Sequence, residues 1–301
     1  MSSNDIPTSE DRKSVNTVTI YEVGPRDGLQ SLGQLVPTAT KVALINALSE
    51  AGLSKIEATS FVNPKWVPQL ADAADVMATI TRQPGVKYAA LAPNLRGAES
   101  ALAARCDEVA IFVSASEGFS QANINCSIDE SFTRLAPAIK HVLAAGVPVR
   151  GYLSCVVECP FDGPTDPAMA ATLSRRLLDM GCYEVSLGDT LGTATAASTK
   201  SLLDAVIASA DPSLIAGHFH DTYGHALSNI EACLEFGVRT FDSSVSGLGG
   251  CPYAPGASGN VDTSAVVTLL HALGYETGVD LAALTKAESI AATATARSEL
   301  P

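Results

Sequence analysis

The fold this chain predicts is a closed (β/α)8 barrel, of the α/β class and built as one domain, and three observations predict it. Short β-branched runs alternate eight times with longer Ala/Leu-rich stretches. The short runs are close to continuously apolar, as parallel strands covered on both faces must be. Several of the long stretches stop at a glycine, the residue that ends a helix most readily in a left-handed conformation.

Taken in order, strands are expected at 18–23, 55–59, 87–91, 108–113, 147–153, 184–187, 214–220 and 240–245. Helical patterns follow them, as at 38–51, 127–145, 166–180 and 227–236, with Gly52, Gly146, Gly181 and Gly237 at their ends. Residues 1–16 are polar and unpatterned and are expected to be a flexible leader. The barrel then takes up 17–301, with 280–296 an extra C-terminal helical segment. Eight units without an internal gap favour closure over an open doubly wound sheet. That rival fold should open on a Gly-rich strand-to-helix turn. The first turn here, Gly24-Pro25-Arg26-Asp27-Gly28, lacks that spacing.

Composition narrows the function. With 47% hydrophobic and 17% charged residues over 301 positions, the chain can fill a large core. A net charge of −13 argues against a nucleic-acid groove or an anionic membrane surface. A phosphate-bearing small substrate is still allowed, because a few local cations or backbone N–H groups can hold one. Seven cysteines, an odd number with no C-x-x-C pair, read as reduced thiols in a cytoplasmic protein. The first residues carry acidic side chains and no apolar run, so no signal or transit peptide is expected. No stretch approaches the roughly 18 apolar residues of a membrane helix.

In a barrel the chemistry sits at the C-terminal ends of the strands. The polar residues expected there are Arg26 and Asp27 after the first strand, Glu57 and Ser60 around the second, and Asp189 and Thr190 after the sixth. His218 and His220 lie on the seventh, and Cys251 and Asn260 come after the eighth. Two histidines at i and i+2 on a strand point to one side of the sheet and suit a metal better than a dry core. The alternative is one ligand beside a structural, hydrogen-bonded histidine. Adding the Asp27 carboxylate and the Asn260 amide oxygen gives a mixed N and O set. Such a set fits six-coordinate Mg2+ or Mn2+ better than a closed zinc site.

Arg26 and Asp27 could be an ordinary ion pair, but adjacent residues rarely pair with each other, so Arg26 is expected to face a developing enolate oxygen. Asp189 and Thr190 either bind substrate or cap the next helix. Glu57 reads as an orienting carboxylate. The Gly/Pro-rich stretch 247–260 fits a mobile lid whose thiol, Cys251, could donate a proton.

These residues resemble a known family. Val23-Gly-Pro-Arg-Asp-Gly-Leu-Gln30, Ile56-Glu-Ala-Thr-Ser-Phe61, Ser186-Leu-Gly-Asp-Thr190 and Gly217-His-Phe-His-Asp-Thr-Tyr-Gly224 are similar to segments of the 3-hydroxy-3-methylglutaryl-CoA lyases. So are Gly247-Leu-Gly-Gly-Cys-Pro-Tyr253 and Gly256-Ala-Ser-Gly-Asn260. The resemblance covers about 17–285. It implies a Mg2+- or Mn2+-dependent carbon–carbon lyase that turns an acyl-CoA substrate into acetyl-CoA and acetoacetate by retro-Claisen chemistry. Asp27, His218, His220 and Asn260 match the metal ligands. Arg26, Asp27, His218, Cys251 and Glu57 match the catalytic set. Gln30, Ser60, Asn123, Asp189 and Thr190 match the substrate side, Asn123 through a segment near the CoA path.

The chain departs from the family pattern at Ser31-Leu32-Gly33, where Asn-Glu is usual, and at Gly192-Thr-Ala-Thr-Ala196. Both departures lie near the mouth, so a lyase for a related 3-hydroxy-3-alkylglutaryl-CoA stays open; a Claisen-type condensing enzyme, which would share the metal motif, is a separate alternative. A non-catalytic CoA- or metal-binding barrel is a third reading, though it gives no reason to keep Arg26, Glu57 and Cys251 together. A homodimer is compatible with all of them.

Overall fold

A computed structural model of the chain describes residues 16–249 and 259–295. Eight parallel strands close on themselves: β1 (Thr19–Glu22), β2 (Lys55–Ser60), β3 (Lys87–Leu91), β4 (Glu108–Ser114), β5 (Val149–Ser154), β6 (Cys182–Asp189), β7 (Ile215–Phe219) and β8 (Thr240–Ser243). Neighbours around the ring run β1-β8-β7-β6-β5-β4-β3-β2, and β1 pairs with β2 on its other side. The expected (β/α)8 barrel is therefore the fold.

Between and after the strands run α1 (Thr38–Glu50), α2 (Ala73–Thr79), α3 (Leu95–Ala103), α4 (Glu117–Ile124), α5 (Ile128–Ala144) and α6 (Pro167–Asp179). They are followed by α7 (Ala196–Ile207), α8 (Ala226–Glu235), α9 (Thr263–Ala272) and α10 (Leu281–Thr295). Local chemistry sets the helix starts. Ser127 accepts from Glu130 N at 3.1 Å ahead of α5, Asp166 from Ala168 N at 2.9 Å ahead of α6, and Thr195 with Ser198 forms a capping box on α7. The extra helix expected at 280–296 is α10, which packs back on α1. Gly52 makes that return possible: its φ is +92°, and a Cβ there would sit 2.2 Å from the Gly278 carbonyl oxygen.

Period-two alternation divides the strands into two faces. Val109, Ile111, Val113, Val185, Leu187, Ile215 and Phe241 face outward into the main core beneath the helices. The intervening residues Arg150, Tyr152, Glu184, Ser186, His218 and Asp242 line the barrel lumen, which carries a charged cluster beside apolar groups such as Leu91 and Ala110.

Several boundaries differ from expectation, β6 running over Cys182–Asp189 rather than 184–187. β5 starts at Val149 because Pro148 has no N–H to give the ladder. β7 and β8 end early because His220 and Ser244 leave the ring to bridge Asn260 and Asp262 on the returning chain. Of the leader expected over 1–16, residues 1–15 lie outside the described residues, and the Asn16 carbonyl accepts from Glu276 N at 2.8 Å.

Candidate metal centre

β1 runs directly into a single wide turn, Gly24–Gly28, in which Asp27 N and Gly28 N both reach the Val23 carbonyl, at 2.7 and 3.2 Å. Glycine is required at its end, since a Cβ on Gly28 would lie 2.7 Å from Leu248 Cβ. The turn brings Arg26 and Asp27 side by side, and they do form an ion pair, Arg26 Nη1 to Asp27 Oδ1. The expectation that adjacent residues would not pair fails because this turn is wider than an α-turn. Arg26 also donates Nε to Glu57 Oε2 at 2.6 Å, and Tyr152 OH donates to the same oxygen at 3.2 Å. The guanidinium lies 5.5 Å from the Tyr152 ring centre. Burial raises the Glu57 carboxyl, against the pull of Arg26.

His218 and His220 project from β7 and just beyond it, with ring centres 5.5 Å apart. One ligand atom from each of them and one from Asp27 all lie within 4.8 Å of one another. Burial would raise the Asp27 carboxyl, but Arg26 first, and then the two imidazoles, hold it well below the usual carboxylate range. Burial, and then the neighbouring His218, push His220 down to about 4, so its imidazole is neutral at pH 7. His220 hydrogen-bonds to the Thr190 backbone, while its Nδ1 is buried with no hydrogen-bond partner. A buried, neutral imidazole with one unpartnered ring nitrogen, grouped with a carboxylate and a second imidazole, is what a divalent cation requires of its ligands. Asn260, brought opposite His220 by an antiparallel bridge, donates Nδ2 to Asp27 Oδ2 at 2.9 Å and to the Leu248 carbonyl at 3.2 Å. Its amide oxygen is not used in those bonds. The donor set fits a metal ion.

The remaining candidates separate. The Ser60 hydroxyl donates to the Leu91 carbonyl at 3.1 Å, tying β2 to β3. The Asp189 carboxylate accepts from Thr193 N at 3.2 Å and Ala194 N at 3.0 Å and so holds the loop after β6; burial lifts it to about 6. Thr190 Oγ1 accepts from Cys155 N at 2.9 Å. Gln30 is exposed just past the Arg26 turn, and Asn123 is exposed in α4. Cys251 and most of the expected lid lie outside the described residues. The other six cysteines are buried free thiols.

Sequence reasoning missed the lumen. Asp242 Oδ2 meets His218 Nδ1 at 3.0 Å, and Arg150 bridges Asp242 and Glu184. A signal existed: charged residues at inward positions of apolar strands are seldom buried unless paired.

Comparisons with known proteins agree with this geometry. The HMGL-like family model matches residues 17–291. A Pseudomonas aeruginosa 3-hydroxy-3-isohexenylglutaryl-CoA/hydroxy-methylglutaryl-CoA lyase is 55% identical over 270 residues, 90% of each chain. The crystal structure of an HMG-CoA lyase from Brucella melitensis superposes with a TM-score of 0.91 at 56% identity, over 92% of this chain and 98% of that one. An HMG-CoA lyase from Acinetobacter baumannii, solved with coenzyme A and 3-methylmalate, gives 0.87 at 35% identity, over 95% and 98%.

Proposed function

Because the chain belongs to the HMGL-like family, we propose that Asp27, His218, His220 and Asn260 are the metal ligands of its carbon–carbon lyase centre. The chain cleaves 3-hydroxy-3-methylglutaryl-CoA to acetyl-CoA and acetoacetate. The observation that carries the metal assignment is the convergence of Asp27, His218 and His220, with an unpartnered buried Nδ1 on His220.

When bound, the metal, Mg2+ or Mn2+ in our reading, supplies Lewis acidity at the C3 hydroxyl. The Asp27 carboxylate, the acidic member of that cluster, takes the hydroxyl proton, with His218 beside it as a ligand. The C2–C3 bond then breaks, its electron pair passing to C2 as the enolate of acetyl-CoA, and C3 becomes the ketone of acetoacetate. Arg26 spends one N–H on Glu57 and one on Asp27. A guanidinium has five, so three remain to hold the thioester enolate oxygen. Glu57, buried and braced by Tyr152, fixes where that fork points. Cys251 returns a proton to C2. Gln30, Ser60, Asn123, Asp189 and Thr190 belong to the substrate side of the mouth, Ser60 and Asp189 by shaping its loops. The A. baumannii relative, solved with coenzyme A, supports an acyl-CoA substrate for this chain.

The organisation that goes with this reading is a polar leader over 1–16 and one catalytic barrel over 17–301 with its helical extension, acting in the cytoplasm, with a homodimer allowed. Among the described residues no helix is long and apolar enough to cross a membrane.

The test is acetoacetate release from the purified protein before and after chelation, followed by restoration with Mg2+ or Mn2+. Release that survives complete metal removal would sink the metal assignment. One observation favours a second, broader reading: the P. aeruginosa relative is named for a 3-isohexenyl branch as well as the methyl one. Assaying both thioesters side by side decides the acyl branch.

A further inference from the structure

Asp242 has no part in the reaction as set out above, yet its carboxylate is held from every side. It is fully enclosed on β8, in register with His218 on β7. Oδ2 accepts from Ser186 Oγ at 2.7 Å and from Arg150 Nη1 at 3.2 Å, and meets His218 Nδ1 at 3.0 Å. Oδ1 accepts from Arg150 Nη2 at 2.7 Å. Arg150 is itself buried and fixed at its other end by Nε to Glu184 Oε1 at 2.7 Å.

Stability alone is a poor account of this arrangement. A buried ion-pair network is often no more stable than apolar packing of the same volume, and the lumen of such a barrel is ordinarily apolar. Geometry accounts for it better. A carboxylate gripped by a bidentate guanidinium and a hydroxyl stays ionised and cannot swing. It can therefore only accept from His218, which places the proton on Nδ1 and leaves the lone pair on Nε2.

We propose that Asp242, clamped by Arg150 and Ser186, is a positioning residue that fixes the tautomer and aim of His218 toward the divalent metal. This rests on the metal reading of the mouth. Outer partners of this kind typically change metal affinity about 10–100-fold when removed.

The experiment is calorimetric titration of metal-free protein with Mn2+, on the wild type and on Asp242→Asn, beside long-range 1H–15N spectra of the histidine rings. The expected result is about 10–100-fold weaker binding in the variant and loss of the single Nδ1–H tautomer of His218. Glu184→Gln is the control: it loosens the far end of Arg150 without touching Asp242. Its expected effect is a lower Tm with Mn2+ affinity within about twofold of wild type, because the Arg150–Asp242–His218 contacts remain. Should Asp242→Asn not fold, Ser186→Ala carries the test, with binding weakened by roughly several-fold. Unchanged affinity with an unchanged His218 tautomer in the folded variant overturns the proposal. So does an equal loss in Glu184→Gln, which would mean general loosening of the barrel. A wild type that binds no Mn2+ overturns the metal reading instead.

Discussion

Glu22 is a buried carboxylate with no cation beside it among the described residues. Its Oε1 accepts from Gly24 N at 2.8 Å and Val245 N at 2.9 Å, and its Oε2 from Thr263 Oγ1 at 2.6 Å. Those bonds favour the ionised form, but burial outweighs them and lifts the group from 4.5 to about 7. The sign follows from proton counts. Between the two values the native state keeps a proton that the unfolded chain has lost, so stability falls as pH rises through this window. At 1.36 kcal/mol per pH unit the full penalty above pH 7 is about 3 kcal/mol. At pH 5.5 less than half of it has been incurred.

Glutamine keeps the shape, accepts from both N–H groups and removes the ionisation. Glu22→Gln should therefore gain about 2 kcal/mol over wild type on going from pH 5.5 to pH 8.5. Constant differences in hydrogen bonding cancel in that comparison. The measurement is urea unfolding of both proteins, followed by circular dichroism across the range. A difference between the two proteins that stays flat with pH refutes the burial argument. One that moves the other way would mean that Glu22 is ionised and stabilising.

Other expectations follow from the mouth. His220→Ala should abolish calorimetric Mn2+ binding while the far-ultraviolet spectrum is retained, and unchanged affinity would remove His220 from the ligand set. Arg26→Lys should lower kcat by about 10²–10³ with a much smaller change in KM, since lysine lacks the planar fork; an unaltered kcat ends the oxyanion role. Cys251→Ser should turn over far more slowly at an unchanged Tm, because a hydroxyl is a much weaker acid than a thiol. A mutant with normal kcat and a lowered Tm would make Cys251 a packing residue.

Much of the barrel was legible because parallel strands buried on both faces write continuous apolar runs, and glycines such as Gly52 end the helices where expected. The mouth was legible for a related reason: polar residues after such runs, Arg26, Asp27, His218 and His220, have one place to go in this fold. The lumen was not legible. Arg150, Glu184 and Asp242 are each a single charge inside an apolar run, and what makes them tolerable is a partner on another strand. That pairing is a property of register around the ring, which no local window contains. The Arg26–Asp27 contact was hidden for a different reason, since it depends on the width of one turn. The helix Glu117–Ile124 and the two-residue hairpin strands Glu158–Cys159 and Gly163–Pro164 interrupt the β/α rhythm without a strong pattern of their own.

The metal cluster straddles the place where the ring shuts. Asp27 follows β1, whereas His218, 191 residues later in sequence, lies on β7 and His220 just past it, with β8 between them. The shutting contacts run from Thr19↔Thr240 to Glu22↔Ser243 and are flanked by Thr19 N to the Arg239 carbonyl and Val23 N to the Ser243 carbonyl, both at 2.8 Å. Contacts this distant in sequence bear the largest chain-closure entropy and form late. Partly folded chains still open at β1–β8 would have three of the donors on one side of the gap and Asp27 on the other. Uptake of Mn2+ during refolding should accordingly lag the recovery of helical signal and coincide with the last structural phase, making the ion a clock for completion of the ring.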